Sequence, residues 1–171
     1  MKKKGYKNNM LIDKVLKNIS QYLISKKKIL FLTTSNRWNE SGENPKSTLL
    51  AEKIAEAVGK EKVIIIDVTS IKIYNCEGNI SISQGNNCGL QKSVLQDKEK
   101  NPLGLHRCWA SINNKDDELW KVSKALFESD CVVFFGSVRW GQMNAYYQKL
   151  IERLSLIENR HSTLGENNIV Q

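Results

Sequence analysis

The chain has no apolar run approaching the length of a membrane span, so a transmembrane helix is not expected. Its N-terminus is basic, but no apolar core with a cleavage site follows, so it does not read as a secretory leader. It contains no internal repeat and no low-complexity tract. Histidine is scarce. His106 and His161 have no partner at helical or Cys-x-x-Cys spacing, and both read as ordinary residues. The four cysteines could form disulfides, but nothing marks secretion, and reduced thiols in a cytoplasmic protein are the expectation. Cys76, Cys88 and Cys108 are scattered. A metal cluster needs several thiolates converging, so no metal is expected.

Acidic residues are outnumbered: 18 Asp+Glu face 26 Lys+Arg, for a net charge of +8. Much of the excess sits in the tail Met1 to Lys7 and in Lys26-Lys-Lys28. Binding to nucleic acid would need basic residues on one surface within a recognisable module, and none is present. A solvated basic tail accounts for the charge.

With 171 residues the chain can form a domain with a substantial core. It divides into a basic tail and N-terminal helix over 1–27 and one α/β unit over 28–171. Leu11, Val15, Ile19, Tyr22 and Leu23 recur at helical spacing and predict a helix before Lys26 that packs on the core. Ile29 to Thr33 and Val63 to Asp67 are short apolar runs, the signature of strands buried on both faces. Between them Leu50, Ile54, Ala57 and Val58 mark a helix closing at Gly59, so a βαβ unit with a parallel pair is expected. Residues 70–115 are glycine- and asparagine-rich with little periodicity. They predict a long, partly mobile cover over the ligand site. Asp116-Asp-Glu118 opens a further helix, with Lys121 and Lys124 later in it, as the helix dipole favours. The run from Cys131 to Phe135 is a third strand, followed by a glycine-bounded loop. Met143, Tyr147, Leu150, Ile151 and Leu154 then lie on one face of a helix.

Two segments are candidate sites. The turn after the first strand offers the hydroxyls of Ser35, Ser47 and Thr48 and the charges of Arg37 and Lys46, between a strand end and a helix N-terminus. Free N–H groups and the helix dipole suit a phosphate there. The alternative is that Ser47 and Thr48 simply cap the helix. Neither Gly-x-x-x-x-Gly-Lys-Ser/Thr nor Gly-x-Gly-x-x-Gly is present. The second segment is the loop from Gly136 to Gln142, whose glycines let backbone approach a ligand closely.

Three segments resemble the NADPH-dependent FMN reductase and iron–sulfur flavoprotein group of the flavodoxin-like fold. Thr34-Ser-Asn-Arg37 with Lys46-Ser-Thr-Leu-Leu50 is similar to its phosphate loop, with residues inserted. Cys108 with Asp116-Asp-Glu-Leu119 is similar to its cysteine and Asp-Asp-Met segment. Ser137-Val-Arg-Trp-Gly-Gln-Met-Asn-Ala145 with Glu152-Arg153 is similar to its Pro-Val-Arg/Tyr-Trp-Gly-Gln-Met-Ser-Ala … Asp-Arg segment. The resemblance covers roughly 28–160, and Ser137 stands where the group has proline. It implies a doubly wound parallel sheet with strand order 2-1-3. It implies FMN as cofactor and NAD(P)H as co-substrate, with Ser35, Arg37, Lys46, Ser47 and Thr48 around the FMN phosphate. It implies that Gly136, Ser137, Val138, Arg139, Trp140, Gly141 and Gln142 lie along the flavin ring. Arg139 would stabilise charge on the reduced ring and Trp140 would cover its flank.

The fold usually has five parallel strands. Three are evident here, with Asn168-Ile-Val170 as a candidate start to the fourth. The apolar edge this leaves on the third strand predicts self-association. The leading expectation is an FMN-dependent NAD(P)H oxidoreductase passing electrons to an unnamed acceptor. Its competitors are an electron-carrying flavoprotein and an inactive truncated form. The basic charge weighs against the carrier, since such carriers tend to be acidic.

Overall fold

A computed structural model of the chain describes residues 7–78, 88 and 91–164. Its elements run α1 (Lys7–Ile24), β1 (Ile29–Thr33), α2 (Lys46–Val58), β2 (Val63–Asp67), α3 (Trp109–Asn113), α4 (Leu119–Phe127), β3 (Cys131–Phe135), β4 (Val138–Arg139), β5 (Gln142–Met143) and α5 (Ala145–Leu164), with short 3₁₀ turns between. β1 pairs in parallel with β2 on one side and β3 on the other, giving the order β2-β1-β3. This is the expected α/β architecture and is consistent with a flavodoxin-like fold.

β1 is the centre of the molecule, and all five of its residues are buried. Side chains alternate across a strand. Ile29 and Phe31 therefore point into one core with Leu23 of α1 and Ala51, Ile54, Ala55 and Val58 of α2. Leu30 and Leu32 point into the other, with Leu119 and Val122 of α4 and Leu150, Leu156 and Ile157 of α5. Glycine ends α2 as expected: Gly59 has φ +112°, and its N–H donates to Ala55 O at 3.0 Å.

Several helix and strand surfaces differ from expectation. In α1 the buried face runs through Leu16 and Leu23, while Val15, Ile19 and Tyr22 are exposed. α5 begins at Ala145, because Met143 belongs to a small antiparallel hairpin in which Val138 pairs with Met143 and Arg139 with Gln142. Its buried face is rotated toward Leu150, Arg153 and Ile157, leaving Ile151 exposed. The apolar stripe misled because a fully buried arginine sits on this face. The run Cys131 to Phe135 is not buried on both faces. β3 has no partner on its outer side among the described residues, and Phe134 is exposed. Asn168-Ile-Val170 lies outside the described residues.

Where described, residues 70–115 are part of the body of the fold rather than a cover. Ile73, Cys108 and Ala110 enter the α4/α5 core. Val94 bridges Arg107, and Asn101 Oδ1 accepts from His106 N at 2.8 Å while its amide donates to the Leu95 and His106 carbonyls. Asparagine here supplies hydrogen bonds where apolar periodicity is missing, so the segment packs without a legible stripe. No described helix is long and apolar enough to cross a membrane.

Candidate functional site

The carboxyl ends of β1 and β3 open into two loops that one side chain ties together. Thr34 N donates to Phe135 O at 2.9 Å, continuing the strand pairing. Asn144, buried just before α5, caps that helix by accepting from Tyr147 N at 3.1 Å. Its Nδ2 donates to Thr34 Oγ1 and to Ser137 Oγ, both at 3.3 Å. Gly136 lies inside this junction. A Cβ there would come within 2.4 Å of Met143 Cε and 2.6 Å of Thr34 Oγ1, so a side chain would force both to shift.

A cleft of about 510 Å³ lies between the loops, within the range of small-molecule sites. One wall carries Ser35, Arg37, Lys46 and Ser47; the other carries Gly136, Ser137 and Arg139. Thr48 lies one residue further into α2. Val138, Trp140, Gly141 and Gln142 stand on the hairpin outside the cleft wall, with Val138 and Trp140 exposed. The two-residue hairpin turn has φ +53° at Trp140 and +78° at Gly141. Such a turn needs positive φ at both positions, which glycine accepts and tryptophan resists.

The expected phosphate loop has unspent hydrogen-bonding capacity. Ser35 Oγ, Ser47 Oγ and Thr48 Oγ1 are buried and have no partner. Ser47 and Thr48 do not cap α2: the N-cap position is Pro45, with no side-chain cap bond, and the first helical bond there is Leu49 N to Pro45 O at 3.1 Å. The first-turn N–H groups have no acceptor within the helix. These features fit the phosphate of an FMN, which brings acceptors to a helix N-terminus.

A second chamber of about 460 Å³ adjoins the cleft, sharing Ser35, Arg37 and Trp38 with it. It is lined further by Ser41, Glu43 and Asn44 of the long first loop and by Asp67, Thr69 and Tyr146, and it is open to solvent. Arg37 Nη1 lies 3.5 Å from Glu43 Oε2. Asp67 Oδ1 accepts from Thr69 N at 3.0 Å and from Thr69 Oγ1 at 2.9 Å. Sequence reasoning missed Asn144, Asp67 and Tyr146. Two signals were present: an asparagine immediately before a helical pattern, and a carboxylate ending an apolar strand.

The remaining motif residues come together elsewhere. Arg153 and Asp117 form an ion pair with both side chains fully buried, Nη1 to Oδ2 at 2.8 Å and Nη2 to Oδ1 at 3.1 Å. Arg153 also donates to Tyr74 O at 2.6 Å, Ser111 Oγ at 3.0 Å and Cys108 Sγ at 3.3 Å, leaving Nε without a partner. Asp117 accepts in addition from Tyr74 N, Leu119 N and Ser111 Oγ. Burial alone would raise its pKa; the Arg153 bonds and the Tyr74 N–H outweigh that and hold it below the usual carboxylate value. Ser111 gives its one proton to Asp117, so His106 Nε2, at 2.8 Å, must be the donor toward Ser111. His106 Nδ1 then accepts from Ser123 Oγ at 2.7 Å. Burial pushes His106 down to about 4, against the opposing pull of Asp117. Asp117 and Arg153 line neither cavity.

Cys76, Cys88, Cys108 and Cys131 form no disulfide, and burial pushes the Cys88 thiol up to about 11. Among the described residues no group of three or more His, Cys, Asp or Glu is arranged to hold a metal ion. No protein-family model matches the chain, and neither does any curated protein or any solved structure.

Proposed function

We propose that this chain binds FMN and acts as an NAD(P)H-dependent oxidoreductase. The observation that carries the reading is the set of partnerless buried hydroxyls of Ser35, Ser47 and Thr48 at an uncapped helix N-terminus, beside a cleft bearing Arg37, Lys46 and Arg139. The three hydroxyls and the first-turn N–H groups donate to phosphate oxygens, and Lys46 and Arg37 add positive charge. Gly136 lets β3 pack closely on Thr34 and Met143, which sets where the loop wall of the cleft stands. Arg139 faces the cleft, where a guanidinium stabilises negative charge developing on a reduced ring. A flavin held there would supply hydride and single-electron transfer. The hairpin bearing Trp140 stands beside the cleft, and covering a bound ring would require its indole to leave the solvent it now occupies. The outer edge of β3, unpaired among the described residues, supports a self-associated form within the same reading.

Flavin titration tests the placement. Replacing Ser47 and Thr48 together with alanine is expected to weaken FMN binding by about 1 kcal/mol or more per lost bond to a charged group. Unchanged affinity overturns it. Oxidation of NADH or NADPH with an added quinone tests the enzymatic step, and sedimentation tests the associated form.

A further inference from the structure

The chamber beside the cleft is lined differently from the phosphate loop. It holds two carboxylates, Glu43 and Asp67, against one guanidinium, Arg37, which is already paired with Glu43. It therefore does not favour a second phosphate. Asp67 closes β2, the second strand of the βαβ unit whose first turn and helix N-terminus form the cleft. Thr69 holds one carboxylate oxygen through two hydrogen bonds, which fixes the orientation of the other; Oδ2 has no described donor, and Asp67 joins no ion pair among the described residues. Ser35 Oγ, on a residue 5% exposed, also lines this chamber, but its one proton goes to the phosphate in the cleft, so Asp67 is the acceptor left for a sugar. Trp38 stands at the rim with its ring largely in solvent. An oriented carboxylate accepts from a vicinal diol, and an exposed indole stacks on a purine.

We propose that the chamber binds the adenosine ribose of a dinucleotide reductant, with Asp67 accepting from the 2′ and 3′ hydroxyls and Trp38 stacking on the adenine. A carboxylate ending the second strand is a physically sound ribose acceptor and repels a 2′-phosphate. The donor is thereby NADH rather than NADPH. This rests on the oxidoreductase reading, but the site is tested without flavin.

The experiment is calorimetric titration of the full chain with ADP-ribose and with its 2′-phosphorylated form. ADP-ribose is expected to bind at least about tenfold more tightly than the 2′-phosphate, the size of one charged hydrogen bond lost or opposed. Asp67→Asn is expected to weaken ADP-ribose about tenfold and to narrow the gap between the two ligands. Trp38→Ala, at an exposed position that does not bear on folding, is expected to weaken both at least about fivefold. The proposal is overturned by equal binding of the two ligands, by no binding of ADP-ribose, by free ribose binding as tightly, or by unchanged affinity in Trp38→Ala. If flavin binds and ADP-ribose does not, this inference alone falls. If ADP-ribose binds and flavin does not, the flavin reading falls and the chamber assignment stands.

Discussion

Two polar regions of this molecule use similar residues to opposite ends. Around Arg153, buried donors and acceptors meet each other: Asp117, Ser111, His106, Ser123 and the Tyr74 backbone complete one network, and Arg153 Nε is its one recorded gap. Around Ser35, Ser47 and Thr48, the buried hydroxyls meet nothing. Buried polar groups without partners cost stability. A fold keeps them where something else completes them. The contrast separates internal bracing from a place for a ligand, although both came from segments of the same resemblance.

The largest test of that contrast removes one partner from the network. Arg153→Met strands the Asp117 carboxylate and is expected to cost about 3–5 kcal/mol in urea unfolding. Replacing both residues with apolar ones should cost far less than the two single changes combined. Equal losses would show that packing, not pairing, matters here.

Acid should open the same network. His106 is held near 4 in the folded chain against an ordinary value of 6.5, so the unfolded chain binds more protons between these limits. Stability is fully present above about pH 6.5, falls as pH drops toward 4, and the loss amounts to about 3 kcal/mol at 1.36 kcal/mol per unit. Asp117, whose value is depressed, adds its own loss only at lower pH. A stability–pH profile of His106→Gln should be flatter across that window.

The cleft should respond in the reverse sense. Ser47→Ala with Thr48→Ala removes two unpartnered hydroxyls, so stability is expected to stay within about 0.5 kcal/mol while flavin affinity falls. Parallel melting and flavin titrations compare the two. A stability loss like that of Arg153→Met would place these hydroxyls with the bracing.

The smallest effect concerns Trp140. Its positive φ carries strain that glycine would relieve, partly offset by the greater freedom of glycine when unfolded. Trp140→Gly is expected to leave stability unchanged or raise it by about 1 kcal/mol. If the tryptophan covers a bound ring, flavin affinity should fall in the same variant.

Most of the architecture was legible in the sequence because it rests on runs and periods. The three apolar runs gave β1, β2 and β3 in the right order, and Gly59 closed α2 where expected. Exposure was less legible. Cys131 to Phe135 reads like Ile29 to Thr33, yet among the described residues one strand is at an edge and the other central, which depends on neighbours rather than composition. The packing within 70–115 was not legible because part of its order comes from side chains such as Asn101 bonding to backbone five and six residues away, which leaves no period. At the site, the residues facing the cleft were found from the loops around the strand ends. Asp67 and Tyr146 were not, since they enter the chamber from a different strand and helix.

The Arg153 network also bears on how the chain reaches its native state. Its partners lie 36 residues away at Asp117, 45 at Cys108 and 79 at Tyr74. No local stretch can form it, and ordering those separations must precede any gain from closing it. The β1–β3 pairing spans more residues still, so separation alone does not order the two. The network is expected to close on the downhill side of the folding barrier because it needs α5, the start of α4 and the Tyr74 backbone already packed together. Contacts made there leave the folding rate almost unchanged and act chiefly by slowing unfolding. On that view the buried arginine sets how long each folded molecule lasts rather than how quickly it forms.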